Sequence, residues 1–277
     1  MVNVRLKGGL GNQMFQYAAG YALSVRTGSK LCLDKGYFKN NTDRTCGLSV
    51  FKLSSEHSKL GIGSFFNLKR SFSKRIPVYH EKSLVFDDGF LDLTAPVELD
   101  GYFQSENYFI GHAKEIRECF NLKRELSVNS LEYKKQILNS RVSISVHIRR
   151  GDYLHPKNLV IHGLLGADYY KCAFDLIAGR FGANVRFFLF SDDPSVRPGH
   201  YGLPEDTVTI VSAAERPHED MYLMSCCHHH IIANSSFSWW GAWLNGKPNK
   251  LVIAPDRWFA SKDLDSRSVV PGEWIKI

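Results

Sequence analysis

The sequence predicts an α/β protein in which strands and helices alternate about parallel sheets, and three observations lead there. The chain opens on a strand, a glycine-rich loop and a helix. Its second half alternates short apolar runs with amphipathic stretches. One strand near the middle, Ser143-Ile144-Ser145-Val146-His147-Ile148, ends abruptly in Arg149-Arg150-Gly151-Asp152. Ligands of open parallel sheets sit outside the carboxyl ends of strands, so that charge marks the place where chemistry is expected.

Taken in order, residues 2–6 alternate as a strand and Gly8-Gly9-Leu10-Gly11 form a flexible loop. Met14, Tyr17, Ala18, Tyr21, Ala22 and Val25 then fall at helical spacing within 13–26. The loop is not a dinucleotide fingerprint, because Met14 stands at the third glycine position, and it lacks the Gly-Lys-Ser/Thr ending of a P-loop. It reads equally as a tight strand-to-helix turn or as a ligand contact. Residues 31–34 form a second strand, and 35–83 lose all clear period and read as irregular with short helices. The stretch 101–109 gathers aromatics beside Gln104 and Glu106. Sugars stack their C–H faces on rings and need directed hydroxyl partners, so this suits a sugar; an aromatic core segment with a surface glutamate fits as well. Helices over 110–120 and 130–138 lead up to the central strand.

In that strand Ile144, Val146 and Ile148 alternate with small or polar residues, the signature of a half-buried strand. The adjacent guanidiniums of Arg149 and Arg150 suggest a phosphate or carboxylate clamp, against the plainer reading of a surface ion pair with Asp152. A helix over 167–181, strands over 185–190 and 208–211, a helix over 219–225, a short strand over 230–233, a helix over 236–244 and a strand over 251–254 follow. Two more strand ends carry polar groups, Ser191-Asp192-Asp193-Pro194 and the segment from Asn234 through Ser235, Ser236, Phe237 and Ser238. The second offers an N-cap, free N–H groups and hydroxyls, which makes either an anion site or a plain helix cap. Phe237, Trp239, Trp240 and Trp243 read as core. Cys226-Cys227-His228-His229-His230 has a metal-like look, but no second Cys or His pair lies nearby in sequence, so no metal site is expected and the run should enter a strand. Trp274, Ile275 and Ile277 should pack the tail back on the body.

At 277 residues the chain holds one large domain or two modest ones. No apolar run approaches the roughly 18 residues of a membrane helix, and Met1 leads into a mixed strand, so a cytoplasmic protein is expected. Six cysteines show no framework spacing; Cys32, Cys172, Cys226 and Cys227 lie in apolar surroundings and read as reduced core thiols. The net charge of +7 is dispersed, and its densest run, Lys69-Arg70-Ser71-Phe72-Ser73-Lys74-Arg75, has no recognition motif beside it. Nucleic acid is therefore not the expected partner; an anionic nucleotide sugar or a membrane surface accounts for the charge.

His147-Ile148-Arg149-Arg150-Gly151-Asp152-Tyr153 resembles the H-x-R-R-G-D-Y motif of the α1,2-fucosyltransferases, inverting enzymes that use GDP-fucose. Three further stretches resemble that family in its own order: the run from Gly8 to Ala18, the run Gly101-Tyr102-Phe103-Gln104-Ser105-Glu106, and the run from Ile232 to Gly241. The resemblance implies a GT-B-like fold of two Rossmann-like domains facing a cleft. Residues 1–140 would form the acceptor-side domain, 141–260 the GDP-fucose-binding domain, and 261–277 a tail. It implies transfer of L-fucose to the 2-hydroxyl of a β-galactoside by a single displacement, with no metal or other cofactor.

The implied donor-binding residues are Gly11, Asn12, Gln13, His147, Arg149, Arg150, Asp192, Asn234, Ser235, Ser236, Phe237 and Ser238. Arg149, with Arg150, would neutralise the leaving diphosphate. Asp192 or Asp193 would accept from guanine or a ribose hydroxyl, unless both merely form a solvated turn. Tyr102, Gln104 and Glu106 would bind the acceptor, and the general base lies among Asp152, His162 and Glu106. The resemblance further implies a bacterial enzyme of surface polysaccharide or O-antigen synthesis, with a lipid-linked acceptor and peripheral contact at the inner face of the cytoplasmic membrane. A GDP-sugar transferase of different donor or linkage, a nucleotide-binding oxidoreductase and a non-catalytic nucleotide-binding protein are the competing readings. The absent third glycine disfavours the oxidoreductase.

Overall fold

The structure, a computed structural model, describes residues 1–39, 44–54, 76–182, 184–211 and 216–277. The basic run 69–75 and much of the stretch expected to be irregular lie outside the described residues. The chain divides into two α/β units, Met1–Arg124 with Arg267–Val269 and Glu125–Ser266 with Val270–Ile277.

The first unit contains β1 (Val2–Arg5), α1 (Leu10–Arg26), β2 (Leu31–Asp34), β3 (Val78–His80), β4 (Val97–Asp100) and α2 (Ala113–Cys119). Its sheet is parallel throughout, in the order β2-β1-β4-β3. Helix α1 is buried along most of its length, Gln13 and Gln16 included, and packs so close to the sheet that a Cβ on Gly20 would run into Val4. Strands β3 and β4 had no sequence signal of their own. Three or four residues are too few for alternation to stand out, and Glu98 and Asp100 of β4 are exposed enough to pair with Arg5 and, for Asp100, with Lys7 at 2.8 Å.

The second unit contains α3 (Val128–Asn139), β5 (Ser143–Ile148), α4 (Pro156–His162), α5 (Ala167–Phe181), β6 (Arg186–Ser191), β7 (Val208–Ile210), α6 (Pro217–Cys226), β8 (His229–Ile231), α7 (Ser236–Leu244), β9 (Val252–Ala254) and β10 (Ile275–Lys276). Its parallel sheet runs β10-β9-β8-β5-β6-β7. One face packs Ile144, Val146 and Ile148 against Tyr170, Ala173, Phe174 and Ile177 of α5.

The expected half-buried strand β5 is buried at all six positions. Ser143 and Ser145 on its polar side are satisfied by the histidine run. Ser143 Oγ lies 2.7 Å from His228 Nδ1, Ser145 Oγ 2.7 Å from His230 Nδ1, and Asn245 Nδ2 2.8 Å from His230 Nε2. Trp239, Trp240 and Trp243 are buried as expected, and Trp274 of the returning tail packs 5.5 Å from Trp239.

Three features differ from the sequence reading. The unit boundary falls after Arg124 rather than at 140, because α3 is tied to α6: Glu219 accepts from Ser127 Oγ at 2.6 Å and from Arg216 Nη1 at 2.9 Å. Helix α4 carries no periodic apolar stripe and was not foreseen. All six cysteines are free, but of the four expected in the core only Cys227 is buried; Cys32 and Cys226 are half-buried and Cys172 is exposed. Among the described residues no helix is long and apolar enough to cross a membrane.

Candidate active site

Because every strand of the second unit runs the same way, the carboxyl ends of β8, β5 and β6 stand side by side at one sheet edge. Helix α6 leads from β7 to β8 and α7 follows β8, so the first turns of both helices lie at this edge. Arg149 and Arg150 leave β5 here. Arg149 Nη2 donates to Asp152 Oδ1 at 2.5 Å, Nη1 lies 2.8 Å from Asp192 Oδ2, and Cζ sits 5.3 Å from the Tyr153 ring centroid. Its Nε is buried with no partner among the described residues.

The expected clamp of two converging guanidiniums is not formed. Arg150 turns away, its Nε donating to Asp193 at 3.0 Å and its Nη1 to the Tyr201 hydroxyl at 3.2 Å. Asp192 and Asp193 are likewise committed to internal donors, since Asp192 also accepts from the Arg150 backbone N–H at 2.9 Å. The Ser195 hydroxyl and N–H, and then Arg150, hold Asp193 below the usual carboxylate range. Gly151 permits this arrangement, since a Cβ there would occupy the place of the Asp192 carboxylate.

Asn234 donates inward, to the carbonyls of His162 at 2.8 Å and Trp258 at 3.2 Å, so its amide organises the loops rather than facing a ligand. Ser235 caps α7 by accepting from Phe237 N–H, and Ser238 Oγ donates to the carbonyls of Ala233 and Ser235. Only Ser236 and Phe237 of this motif are half-buried; Asn234, Ser235 and Ser238 are buried. Burial, then the charge of Arg149, lowers the pKa of His147 to about 3, and its Nδ1 has no partner among the described residues. The Phe237 ring lies 5.8 Å away.

Sequence reasoning missed Asp220, in the first turn of α6. Its Oδ1 is buried without a partner among the described residues, and burial followed by the charge of Glu219 raises its pKa to about 7. The one available signal was a pair of adjacent acids opening a helix of apolar residues.

His162 closes α4. Its ring stacks on Tyr153 at 4.5 Å and 12°, and its Nδ1 is buried without a partner among the described residues. Burial keeps its pKa below the ordinary value; Asp152 raises it and Arg149 lowers it further. Asp152, by contrast, is engaged by Arg149.

In the first unit the glycine loop is knotted from inside. Gly8 takes φ +78°. Gln13 donates to the carbonyls of Gly8 at 2.9 Å and Thr45 at 3.0 Å and accepts from Gly47 N–H at 2.9 Å. Fully buried and with its amide engaged by these three partners, Gln13 ties the loop from inside; Gly11 is buried beside it. Asn12 is half-buried and accepts from Gln104 Nε2 at 2.7 Å, while Gln104 Oε1 is buried without a partner among the described residues. Tyr102 is 37% exposed beneath Lys7 Nζ, 5.0 Å from the ring centroid. Both Tyr102 and Phe103 N–H groups donate to the Glu81 carboxylate, which holds Phe103 at φ +54°. Phe103, Tyr108 and Phe109 are core, so the core reading holds for them. Glu106 is half-buried and near enough to Arg117 for the two charges to attract. Among the described residues no group of three or more His, Cys, Asp or Glu is placed to hold a metal ion.

The sequence profile described as glycosyl transferase family 11 matches residues 1–277. An α1,2-colitosyltransferase of Escherichia coli is 37% identical over 293 residues, covering 100% of this chain and 99% of that protein. The O-antigen biosynthesis glycosyltransferase WbnK of Escherichia coli is 33% identical over 304 residues, covering 98% of this chain and 99% of that protein. Among solved structures, the fucosyltransferase NodZ from Bradyrhizobium matches with a TM-score of 0.54 at 16% identity, over 87% of this chain and 92% of that one. The fold is thus that of the GT-B fucosyltransferases, α/β with parallel sheets.

Proposed function

The chain belongs to glycosyl transferase family 11 and is a glycosyltransferase, and we propose that it transfers L-fucose from GDP-β-L-fucose to the 2-hydroxyl of a β-galactoside with inversion. One observation carries this reading: Arg149 Nε, His147 Nδ1 and Asp220 Oδ1, all without partners among the described residues, belong to elements whose ends meet at one sheet edge with the first turn of α7. A nucleoside diphosphate supplies what these groups lack. Its diphosphate suits the helix N-terminus and Arg149, where positive charge meets the negative charge that grows on the leaving group. Asp220 is better placed than Asp192 to accept from guanine N1–H and N2–H, because Asp192 is already spent on two arginines. With Arg149 and a helix dipole in these roles, the proposed reaction uses no metal.

For the acceptor, Tyr102 offers a ring face and Gln104 Oε1 an unspent hydrogen-bond acceptor. His162, uncharged at neutral pH, is the base candidate less encumbered than Asp152. The acceptor class we infer is a surface polysaccharide or O-antigen unit, lipid-linked at the inner face of the cytoplasmic membrane, by analogy with the relative named for O-antigen biosynthesis. The 37% identical colitosyltransferase supports a second reading, in which the donor sugar is colitose, the 3-deoxy counterpart of fucose. The groups proposed to hold GDP would serve either donor.

Mass spectrometry of protein incubated with lactose and GDP-fucose, with GDP-colitose in parallel and EDTA throughout, tests both. A fucosylated product is expected. Product from GDP-colitose alone would replace the donor, and product only after magnesium is restored would remove metal independence.

Asp220 makes a separate prediction. A carboxylate accepts from two N–H donors better than its protonated form, so donor affinity should rise as pH increases through about 7. Asp220→Asn should weaken donor binding roughly tenfold or more and flatten that dependence, as read by calorimetric titration of GDP across pH. Unchanged affinity would take Asp220 out of the donor site.

A further inference from the structure

We propose that Tyr153 is a positioning residue that sets the orientation of the Arg149 guanidinium; the proposal builds on the reading that Arg149 faces the leaving diphosphate. Asp152 and Asp192 grip the two Nη atoms of Arg149. Two contacts on one edge of a planar fork leave it free to tilt about the line that joins them. The Tyr153 ring, 5.3 Å from Cζ, opposes that tilt by covering the fork.

The ring is itself held at two further points. It stacks on His162 at 4.5 Å and 12°, and its hydroxyl donates to the Asn234 carbonyl at 2.9 Å. Asn234 in turn grips the carbonyls of His162 and Trp258 through its side chain. A continuous line of contacts therefore runs from the residue before the α7 cap, through Tyr153, to Arg149. This accounts for two residues that the donor site leaves unexplained, an aromatic in a short turn after β5 and an asparagine whose amide never faces outward. Uncharged His162 can lie against the same ring without repelling the guanidinium.

The decisive measurement is the Arg149 Nε–Hε signal in a 1H–15N spectrum of the unliganded protein, assigned by its disappearance in Arg149→Lys. A single sharp signal is expected in the wild type and in Tyr153→Phe, which keeps the ring. Tyr153→Leu should broaden or shift it at unchanged melting temperature. In turnover assays Tyr153→Leu should lower kcat by up to about 10²-fold with little change in donor KM, since a misplaced group costs rate rather than binding. Tyr153→Phe should restore most of that rate, and on an Arg149→Ala background Tyr153→Leu should add nothing.

An Arg149 signal in Tyr153→Leu identical to wild type overturns the proposal, as does a full additive loss in the double variant. Should Arg149→Ala leave turnover intact, the role of Arg149 in transfer falls instead, and the spectrum still decides whether Tyr153 holds the fork.

Discussion

Replacing Arg149 with alanine is expected to slow transfer by about 10²–10³-fold while leaving the protein folded. Of the two guanidiniums that leave β5, Arg149 is the one proposed for the task, since Arg150 is spent on Asp193 and Tyr201. A charge that develops only as the glycosidic bond breaks is stabilised by donors already in place, so the loss should appear in kcat more than in donor KM. The structural cost should be small, because Asp152 and Asp192 keep 32% and 26% side-chain exposure and can be hydrated when their partner is gone. Arg149→Lys should recover part of the rate at most, since an ammonium keeps the charge but not the fork that two carboxylates and an aromatic ring hold in one plane. Saturation kinetics beside a melting curve settle the matter: a kcat within a few-fold of wild type would remove Arg149 from the reaction.

Glu219→Ala should be the most damaging single change for stability, about 3 kcal/mol. The residue is almost wholly buried and joins two helices, accepting from the N–H and hydroxyl of Ser127 and from Arg216. Burial alone would raise its pKa; those hydrogen bonds outweigh it and bring the pKa to about 2. A carboxylate depressed in the folded state lends stability that is complete above its ordinary value of 4.5 and is lost as pH falls toward about 2. Asp220 has the opposite sign: its pKa is raised, so its contribution is complete below the ordinary 3.8 and declines as pH climbs to about 7. Wild-type melting temperature should therefore sag on both sides of a window near the ordinary carboxylate range. In Glu219→Ala it should fall by roughly 6–12 °C, with the acid arm gone and the alkaline arm shallower, because Asp220 no longer faces a neighbouring charge. A pH series of melting curves with an unchanged acid arm would disprove the assignment.

What the sequence disclosed followed physical pattern. The six residues of β5 were readable from their alternation, the span of α5 from an apolar period kept over several turns, and the start of α7 from its serine cap. Strands β3, β4 and β10 were silent because two to four residues cannot establish a period, and β4 interleaves its two apolar residues with acids that serve ion pairs. The location of the candidate site at the strand ends of the second half was legible from clustered polar groups, whereas the direction of each side chain was not. Asn234, Gln13 and Arg150 have the chemistry of ligand contacts and spend it internally. Asp220 looks like an ordinary helix-opening acid and is left unpaired on one oxygen. Burial decides between those outcomes, and burial is set by the tertiary fold.

The division of the chain has a practical consequence for dissecting it. Residues 267–269 belong to the first unit, with Ser268 Oγ accepting from the Phe86 N–H at 3.1 Å, while the eight-residue segment that follows returns to the second. No single cut therefore yields either unit whole. A fragment ending at 266 would lose β10, strip Ile275 and Ile277 from the packed face and leave β9 as a bare edge presenting unpaired backbone groups beside Ile253. Such an edge invites pairing with other chains, so a truncated second unit should be the sticky one in solution, and one bridged by a short linker from 266 to 270 the better-behaved.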